Sequence, residues 1–256
     1  MENLSERKNV HRYGDSIVRP ISPWTPAVHS LLNHLDRVGF GGAPHVAHLA
    51  SSLEGFEAVE YITGDVDARR VWSDDGIRGL GQLLRSLHSA TASYRPPPDA
   101  EWQPSVLRPV GPDRVISHGD IAPWNVVARD GYPAALIDWE LAGPVDRLRE
   151  VAHTAWLNIR LFDDEIAEDE HLLPAEQRAA QLRLFVVAYG LSDHERRRFL
   201  DTILDVAVLT AEADAVEART GPHSSIPLGQ SWGMWWRLRS AAWLIRNRAL
   251  FERSLE

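Results

Sequence analysis

The 256-residue sequence contains no cysteine, and this absence excludes several kinds of chemistry. Without thiols the chain cannot form disulfides, cysteine-ligated zinc sites or iron–sulfur clusters, and it cannot use a thiolate nucleophile. Lysine is almost absent too, since Lys8 is the only one and 26 of the 27 basic residues are arginine. Any cation that works inside the fold is therefore expected to be an arginine.

Long hydrophobic runs are also missing. No apolar stretch approaches the roughly 20 residues of a membrane span, and the charged beginning of the chain does not resemble a signal peptide. Acidic residues outnumber basic ones 36 to 27, giving a net charge of −9, whereas a nucleic-acid binder usually carries the opposite sign. We therefore expect a globular, cytoplasmic protein whose partners include neither a membrane nor a nucleic acid.

The first sixty residues have the pattern of a small α+β module. Alternating apolar residues around a glycine turn predict a hairpin over residues 9–20. A helix is predicted over 26–38 with Thr25 as its N-cap, and strand-like runs follow over 45–50 and 56–62.

The remainder of the sequence predicts mainly helices. Helical spacing of apolar residues, glycine stops and a capping box of Ser192 and Glu195 give the following elements: helices over 76–89, 174–188, 192–219 and 234–253, and two strands over 126–128 and 134–137. We expect a small lobe over 1–63, a large helical lobe over 64–256 and a ligand-binding cleft between them.

The densest concentration of residues capable of chemistry lies in two short segments, HGDIAPWN at 118–125 and IDWE at 137–140. If the two strands next to these segments pair, Asn125 and Asp138 come to the same end of a hairpin. An amide oxygen and a carboxylate there are suitable ligands for Mg²⁺ beside phosphate oxygens. Asp120 would lie nearby as a carboxylate that orients or deprotonates a hydroxyl, so the segments indicate phosphoryl transfer.

The order and spacing of these two segments resemble the signature of the aminoglycoside phosphotransferase and choline kinase family, which has a protein-kinase-like fold. The resemblance implies that Asp120 is the catalytic residue, that Asn125 and Asp138 are the Mg²⁺ ligands and that ATP is the co-substrate. It also implies that His118 supports the catalytic loop, and we interpret Glu140 as a supporting outer-sphere or second metal contact.

The resemblance extends more weakly into the first part of the chain. Glu60, Tyr61 and Ile62 resemble the hinge whose backbone binds adenine, and Arg19 stands where the family usually has a phosphate-contacting lysine. The helix over 26–38 contains no glutamate, so the partner of Arg19 stays open. Only 18 residues precede Arg19, which predicts a shortened N-terminal lobe with a reduced sheet, one helix and a short or missing phosphate lid.

Together these features predict an α+β, two-lobed phosphotransferase that moves the γ-phosphate of ATP to a hydroxyl of a small molecule. Family analogy and the acidic charge suggest a cationic acceptor, such as an aminoglycoside-like or other cationic antibiotic. The acidic run over 163–170 is either a solvated loop or a rim that attracts such a cation. Four late tryptophans form either part of the core or an aromatic wall for the acceptor, namely Trp232, Trp235, Trp236 and Trp243.

Two other functions remain open from the sequence. The short phosphate lid would suit a pseudo-kinase that binds nucleotide without transferring phosphate. A metal-dependent phosphoesterase could use the same polar side chains as a metal site and would need no ATP, although the chain lacks the additional histidine-bearing loops of binuclear sites.

Overall fold

A four-stranded antiparallel sheet and one helix form the first part of the molecule. The structure, a computed structural model, describes residues 2–5, 9–47, 54–108, 113–221, 223–225 and 228–256. Its first elements are β1 (Glu2–Ser5), β2 (Val10–Tyr13), β3 (Ser16–Pro20), α1 (Thr25–Arg37) and β4 (Phe56–Glu60), and the sheet order is β1-β2-β3-β4. The predicted hairpin is therefore confirmed, and two strands precede the strand of Arg19. Residues 6–8, which connect these two strands, lie outside the described ranges.

The predicted strand over 45–50 is reduced, within the described residues, to an isolated bridge between Val46 and Val59. Residues 48–50 lie outside those ranges. The predicted N-cap of α1 was wrong: Trp24 occupies the N-cap position, and Thr25 is the first helical residue. The Thr25 hydroxyl instead accepts a hydrogen bond of 3.0 Å from the backbone N–H of Ser22, so it stabilises the preceding turn.

The second part of the molecule is mainly helical. Its elements are α2 (Asp74–Thr91), β5 (Arg114–Ser117), β6 (Val126–Arg129), β7 (Tyr132–Leu136), β8 (Gly143–Asp146), α3 (Arg147–Asn158), α4 (Asp164–Asp169), α5 (Ala175–Tyr189), α6 (Asp193–Glu217), α7 (Leu228–Arg246) and α8 (Arg248–Leu255). Two antiparallel pairs, β5 with β8 and β6 with β7, lie between α2 and α3 in the chain. Among the described residues, no helix combines the length and apolar character that crossing a bilayer requires.

Local signals placed most of these helices correctly. The capping box of Ser192 and Glu195 opens α6, and α5 ends at Gly190, which has a left-handed backbone. The helix predicted over 234–253 is in fact two helices, because the chain breaks at Asn247 between α7 and α8. The strands β5 and β8 and the helix α3 had not been predicted.

The core runs through the second part and supports the loop over 118–125. Apolar side chains from α2, β6, β7 and α3 are fully buried together, including Leu80, Leu84, Val126, Leu136 and Trp156. The loop follows β5 and leads directly into β6, so both of its ends are held by strands that rest on this core.

Candidate active site

Gly119 makes the sharp turn at which the loop over 118–125 leaves β5. Its φ of +81° lies in the left-handed region that favours glycine, and a Cβ atom there would lie 2.3 Å from the carbonyl oxygen of Leu141. The backbone N–H of Gly119 donates a 2.7 Å hydrogen bond to Oε1 of Glu150 on α3. The turn is therefore held by close packing against the Leu141 backbone and by the hydrogen bond to Glu150.

Glu150 is a fully buried carboxylate that the sequence analysis did not identify. Its Oε2 lies 2.7 Å from Nε2 of His88 on α2, and His88 Nδ1 lies 2.8 Å from the hydroxyl of Tyr189 on α5. Burial alone would raise the pKa of Glu150, but the hydrogen bonds from His88 and from the Gly119 backbone hold this pKa below its usual range. Three helices are thus linked to the loop by one buried polar network.

His118 joins the two motif segments to each other. Its Nε2 lies 2.9 Å from the carbonyl oxygen of Ile137, and its Nδ1 accepts a hydrogen bond from the backbone N–H of Asp120. These contacts correspond to a neutral imidazole that donates from Nε2, and burial lowers the pKa of His118. The ring also packs on Trp139, with 4.7 Å between the ring centroids.

Asp120 and Asn125 belong to the same loop, five positions apart in sequence, and their side chains are in contact. The Asn125 amide nitrogen donates to both the carbonyl oxygen and Oδ2 of Asp120, each at 2.9 Å. Because the amide nitrogen is used in this way, the Asn125 side-chain oxygen is the atom oriented to contact a cation. The backbone carbonyl of Asn125 accepts from the N–H of Ile137, which places Asp138 next to this site.

Asp138 follows β7 with a left-handed backbone, φ 61° and ψ 63°. This conformation is uncommon for a residue other than glycine and is concentrated at functional sites. The carboxylate is one-third exposed, and its Oδ1 accepts a 3.0 Å hydrogen bond from Nη1 of Arg19.

The partner of Arg19 that the sequence left open is Glu57 on β4. Arg19 and Glu57 are register partners in the β3–β4 pair, and Nε of the arginine donates to Oε1 of the glutamate at 2.6 Å. His29 of α1 lies 2.6 Å from the other carboxylate oxygen. Burial opposes the charged forms of both residues, but their attraction raises the pKa of Arg19 and, with His29, lowers that of Glu57.

These residues lie on one cleft beside the sheet. A cavity of about 570 Å³ is lined by Arg19, by the predicted hinge and by Asn125 and Asp138. This volume is in the range of small-molecule and cofactor sites. The hinge residues on the cavity are Glu60, Tyr61 and Ile62, so the structure brings together the predicted nucleotide-binding and metal-binding residues. Three predicted site residues are not among its lining residues: Asp120, which contacts the lining residue Asn125, the buried His118 and the half-buried Glu140.

A second cavity of about 350 Å³ lies on the other side of Trp124, which lines both cavities. Its remaining walls come from the segment after the hinge, from the end of α3 and from α7, and include Arg69, Arg160, Trp236 and Arg237. Burial lowers the pKa of Arg237, opposed by the attraction of Asp214 and Asp120. Asp120 is not among the lining residues of the second cavity, but its carboxylate acts electrostatically on Arg237 in the cavity wall.

The acidic run over 163–170 is mostly helical rather than a loop, because residues 164–169 form α4, and several of its carboxylates are paired. Asp163 caps this helix and lies 2.7 Å from Nε of Arg239, while Asp164 accepts from the indole nitrogen of Trp243, also at 2.7 Å. At the other end of the run Glu170 contacts Arg160.

The late tryptophans divide between core and surface. Trp243 is buried and Trp236 stacks on Trp156, whereas Trp232 and Trp235 are more than half exposed.

The donor set fits a metal ion shared with a bound phosphate better than a dedicated metal centre. Among the described residues no group of three or more His, Asp or Glu side chains could hold a metal ion. Asn125 and Asp138 offer one amide oxygen and one carboxylate, and Mg²⁺ is commonly bound by one or two carboxylates together with substrate phosphates.

The sequence is similar to a known protein family and to a known individual protein. The model of the phosphotransferase enzyme family matches residues 99–200. The trifolitoxin immunity protein of Rhizobium leguminosarum bv. trifolii is 40% identical over 252 residues, covering 97% of this chain and 95% of that protein.

Solved structures show the same fold at low sequence identity. An amicoumacin kinase in complex with AMP-PNP, Ca²⁺ and its ligand has a TM-score of 0.64 at 13% identity, covering 94% of this chain and 90% of the kinase. A choline/ethanolamine kinase family protein from Mesorhizobium loti has a TM-score of 0.59 at 15% identity, covering 96% of this chain and 88% of that one. The chain therefore belongs to the aminoglycoside phosphotransferase and choline kinase family, as its motifs predicted, and has the two-lobed protein-kinase-like α+β fold.

Proposed function

We propose that this protein transfers the γ-phosphoryl group of ATP to a hydroxyl of a small molecule. The observation that carries the proposal is that Asn125 and Asp138 lie with Arg19 on one cleft, and that Asp120 is held against Asn125 by a 2.9 Å hydrogen bond. Phosphoryl transfer depends mainly on positioning and charge stabilisation, and this arrangement supplies both.

Asp120 is the proposed catalytic residue. Its carboxylate is oriented by the Asn125 amide and accepts the proton of the acceptor hydroxyl. The acceptor oxygen forms a new bond to the γ-phosphorus while the bond from that phosphorus to the β,γ-bridging oxygen breaks. The electron pair of the broken bond leaves with ADP.

Arg19 is the proposed cation for the nucleotide phosphates. The Glu57 carboxylate and Asp138 hold its guanidinium at the side of the cleft, and its raised pKa keeps it charged. Asn125 and Asp138 would hold Mg²⁺, which when bound neutralises part of the phosphate charge. The backbone of residues 60–62 is the proposed contact for adenine, and the neighbour that contains AMP-PNP supports nucleotide binding in this fold.

The acceptor is proposed to be a toxic small molecule that phosphorylation inactivates in the cytoplasm. Support comes from the related immunity protein and from the antibiotic kinases among the structural neighbours. The cationic acceptor expected from the sequence stays a prediction.

The experiment that tests this function is the variant Asp120→Asn. We expect its turnover to fall by roughly 10²–10⁴-fold, because proton acceptance is lost, while nucleotide affinity stays nearly unchanged. Transfer from γ-labelled ATP to a panel of hydroxylated antibiotics and amino alcohols measures turnover, and calorimetry measures nucleotide affinity. Asp130→Asn, in the exposed turn of the same hairpin, is the matched control.

Three outcomes would contradict the proposal. Equal turnover of Asp120→Asn and wild type would remove Asp120 from catalysis. Nucleotide binding without transfer to any acceptor would favour the pseudo-kinase, and hydrolysis of phosphate esters without ATP would favour the phosphoesterase.

A further inference from the structure

The cavity beyond Trp124 borders the loop that carries Asp120. Trp124 belongs to the loop over 118–125 and lines both this cavity and the nucleotide cleft. Arg237, on the wall of the same cavity, interacts electrostatically with Asp120. A molecule bound there would lie next to Trp124, which also lines the proposed nucleotide site.

The walls of this cavity offer flat aromatic surfaces. Trp236 is held in place by stacking on Trp156, with ring centroids 5.2 Å apart and 23° between the planes, and by an edge contact with Phe162. Trp124 and Trp232 also line the cavity, and their side chains are 41% and 51% exposed. Exposed indole rings beside a rigid one favour a ligand that contains a planar ring.

The charged groups of the cavity are mainly positive. Three arginines line it, Arg69, Arg160 and Arg237, against one carboxylate, Glu170. Glu170 contacts Arg160, and Arg237 lies 2.6 Å from a carboxylate oxygen of Asp214.

Arg69 and Arg160 line the same cavity, where their positive charges repel. Burial and the charge of Arg69 lower the pKa of Arg160 to about 10, opposed by the attraction of Asp67. An anionic group bound beside them would relieve this repulsion, whereas an ammonium group would increase it.

Three carboxylates at the start of the acidic run are engaged by side chains of α7. Asp163 and Glu165 both pair with Arg239, and Asp164 accepts from Trp243. They stabilise the contact between α4 and α7, so they add little attraction for a cationic acceptor.

We infer that the cavity between Trp124 and Trp236 is the acceptor site, and that it takes a hydroxylated molecule with a planar aromatic ring and an anionic group. This inference rests on the proposed function for the identity of the site as an acceptor site. The charge and ring preference can be measured without phosphoryl transfer.

The test uses four hydroxylated probes of similar size on the full chain without nucleotide. 3-Phenyllactate carries a ring and a negative charge, 3-phenylpropane-1,2-diol is its neutral counterpart, phenylalaninol is cationic, and 2-hydroxyisocaproate is an anion without a ring. Dissociation constants come from ligand-observed NMR and tryptophan fluorescence. We expect 3-phenyllactate to bind most tightly, with affinity that decreases as salt is added.

Two variants with matched controls connect this preference to the cavity. Arg69→Gln should weaken 3-phenyllactate binding by about threefold and leave the neutral probe unchanged. Arg78→Gln, an exposed arginine on α2, is its control. Trp232→Leu should weaken both ring-containing probes by about fivefold. Trp235→Leu, equally exposed on α7 but outside the cavity lining, should leave them unchanged.

The outcomes separate this inference from the proposed function. Tighter binding of phenylalaninol, no binding of any probe, or no effect of Arg69→Gln on the preference would overturn the inference. Transfer from γ-labelled ATP is measured separately on the same probes and on the antibiotic panel. Binding of 3-phenyllactate without transfer to any acceptor would overturn the proposed function alone, and transfer only to cationic acceptors would overturn the inference alone.

Discussion

Arg19 forms an ion pair with Glu57 on β4, a partner that the sequence of α1 could not reveal. The sequence placed a cation at residue 19 and showed no glutamate on the following helix. The antiparallel register of β3 and β4 sets Glu57 directly opposite Arg19, and α1 contributes His29 to the same carboxylate. A cross-strand partner 38 residues away depends on register, which no local pattern of the sequence specifies.

Glu57→Gln tests whether this pair positions Arg19 for the nucleotide. Without the carboxylate the guanidinium loses a charge-assisted hydrogen bond, and we expect nucleotide to bind about tenfold more weakly. Titration calorimetry measures the dissociation constant, and thermal unfolding checks that the variant is folded. Glu54→Gln, in the exposed turn before β4, is the control, and an unchanged dissociation constant for Glu57→Gln would exclude a positioning role.

His153 gives the protein a pH-dependent stability. Burial, with the nearby charge of Arg237, lowers the pKa of His153 from its ordinary value near 6.5 to about 4. Between these values the unfolded state binds more protons than the folded state, so the free energy of unfolding decreases as pH falls through this range. Over this pH range, His153 lowers the free energy of unfolding by about 3 kcal/mol in total.

His153→Gln should therefore flatten the pH dependence of the free energy of unfolding between pH 6.5 and 4. Urea denaturation at several pH values measures it, and His194→Gln, an exposed histidine on α6, is the control. A variant with the same slope as wild type would contradict this origin of the pH dependence.

At the scale of elements, the loop over 118–125 is supported by the helices α2 and α3. Glu150 on α3 binds the Gly119 backbone, and His88 on α2 holds Glu150 from the other side. The position of the loop depends on this buried network as well as on the strands at its ends.

Glu150→Ala should lower the free energy of unfolding by about 3–5 kcal/mol, because it leaves His88 and the Gly119 N–H without their buried partner. Denaturation by urea measures the loss, and Glu212→Ala on the exposed face of α6 is the control. A loss of less than about 1 kcal/mol would show that the network contributes little to the fold.

Elements with strong local signals were predictable, and those stabilised by distant contacts were not. The β6–β7 hairpin has a turn marked by Gly131, and the capping box marks the start of α6. By contrast, β8 begins with glycine and proline, which disfavour strands, and pairs with β5 far away in sequence. The helix α3 buries polar residues together with apolar ones, so it lacks an amphipathic pattern.

For the whole molecule, the net charge does not predict the charge of the second cavity. The chain carries −9 overall, yet three arginines and one glutamate line this cavity. A sum over the sequence cannot show which carboxylates are paired with arginines, such as Asp163 with Arg239. The sequence could predict that the motif residues lie together because their spacing is local, and their roles stay predictions. The residues that support the loop and those that line the second cavity depend on the tertiary fold.

Nucleotide binding in the cleft should stabilise the whole molecule. At a concentration of Mg²⁺–ATP about 100 times its dissociation constant, linkage predicts an increase of about 2.7 kcal/mol in the free energy of unfolding. Thermal unfolding with and without Mg²⁺–ATP measures this increase as a higher Tm. Asp138→Ala, or removal of Mg²⁺ with a chelator, should reduce the shift, and a full shift in either case would exclude Asp138 from metal binding.

Trp124 lines both the cleft that contains Arg19 and the second cavity. A ligand that displaces this indole on one side changes the shape of the space on the other. If a ligand in one cavity moves Trp124 and so changes the affinity of the other cavity, thermodynamics makes the two effects equal in size.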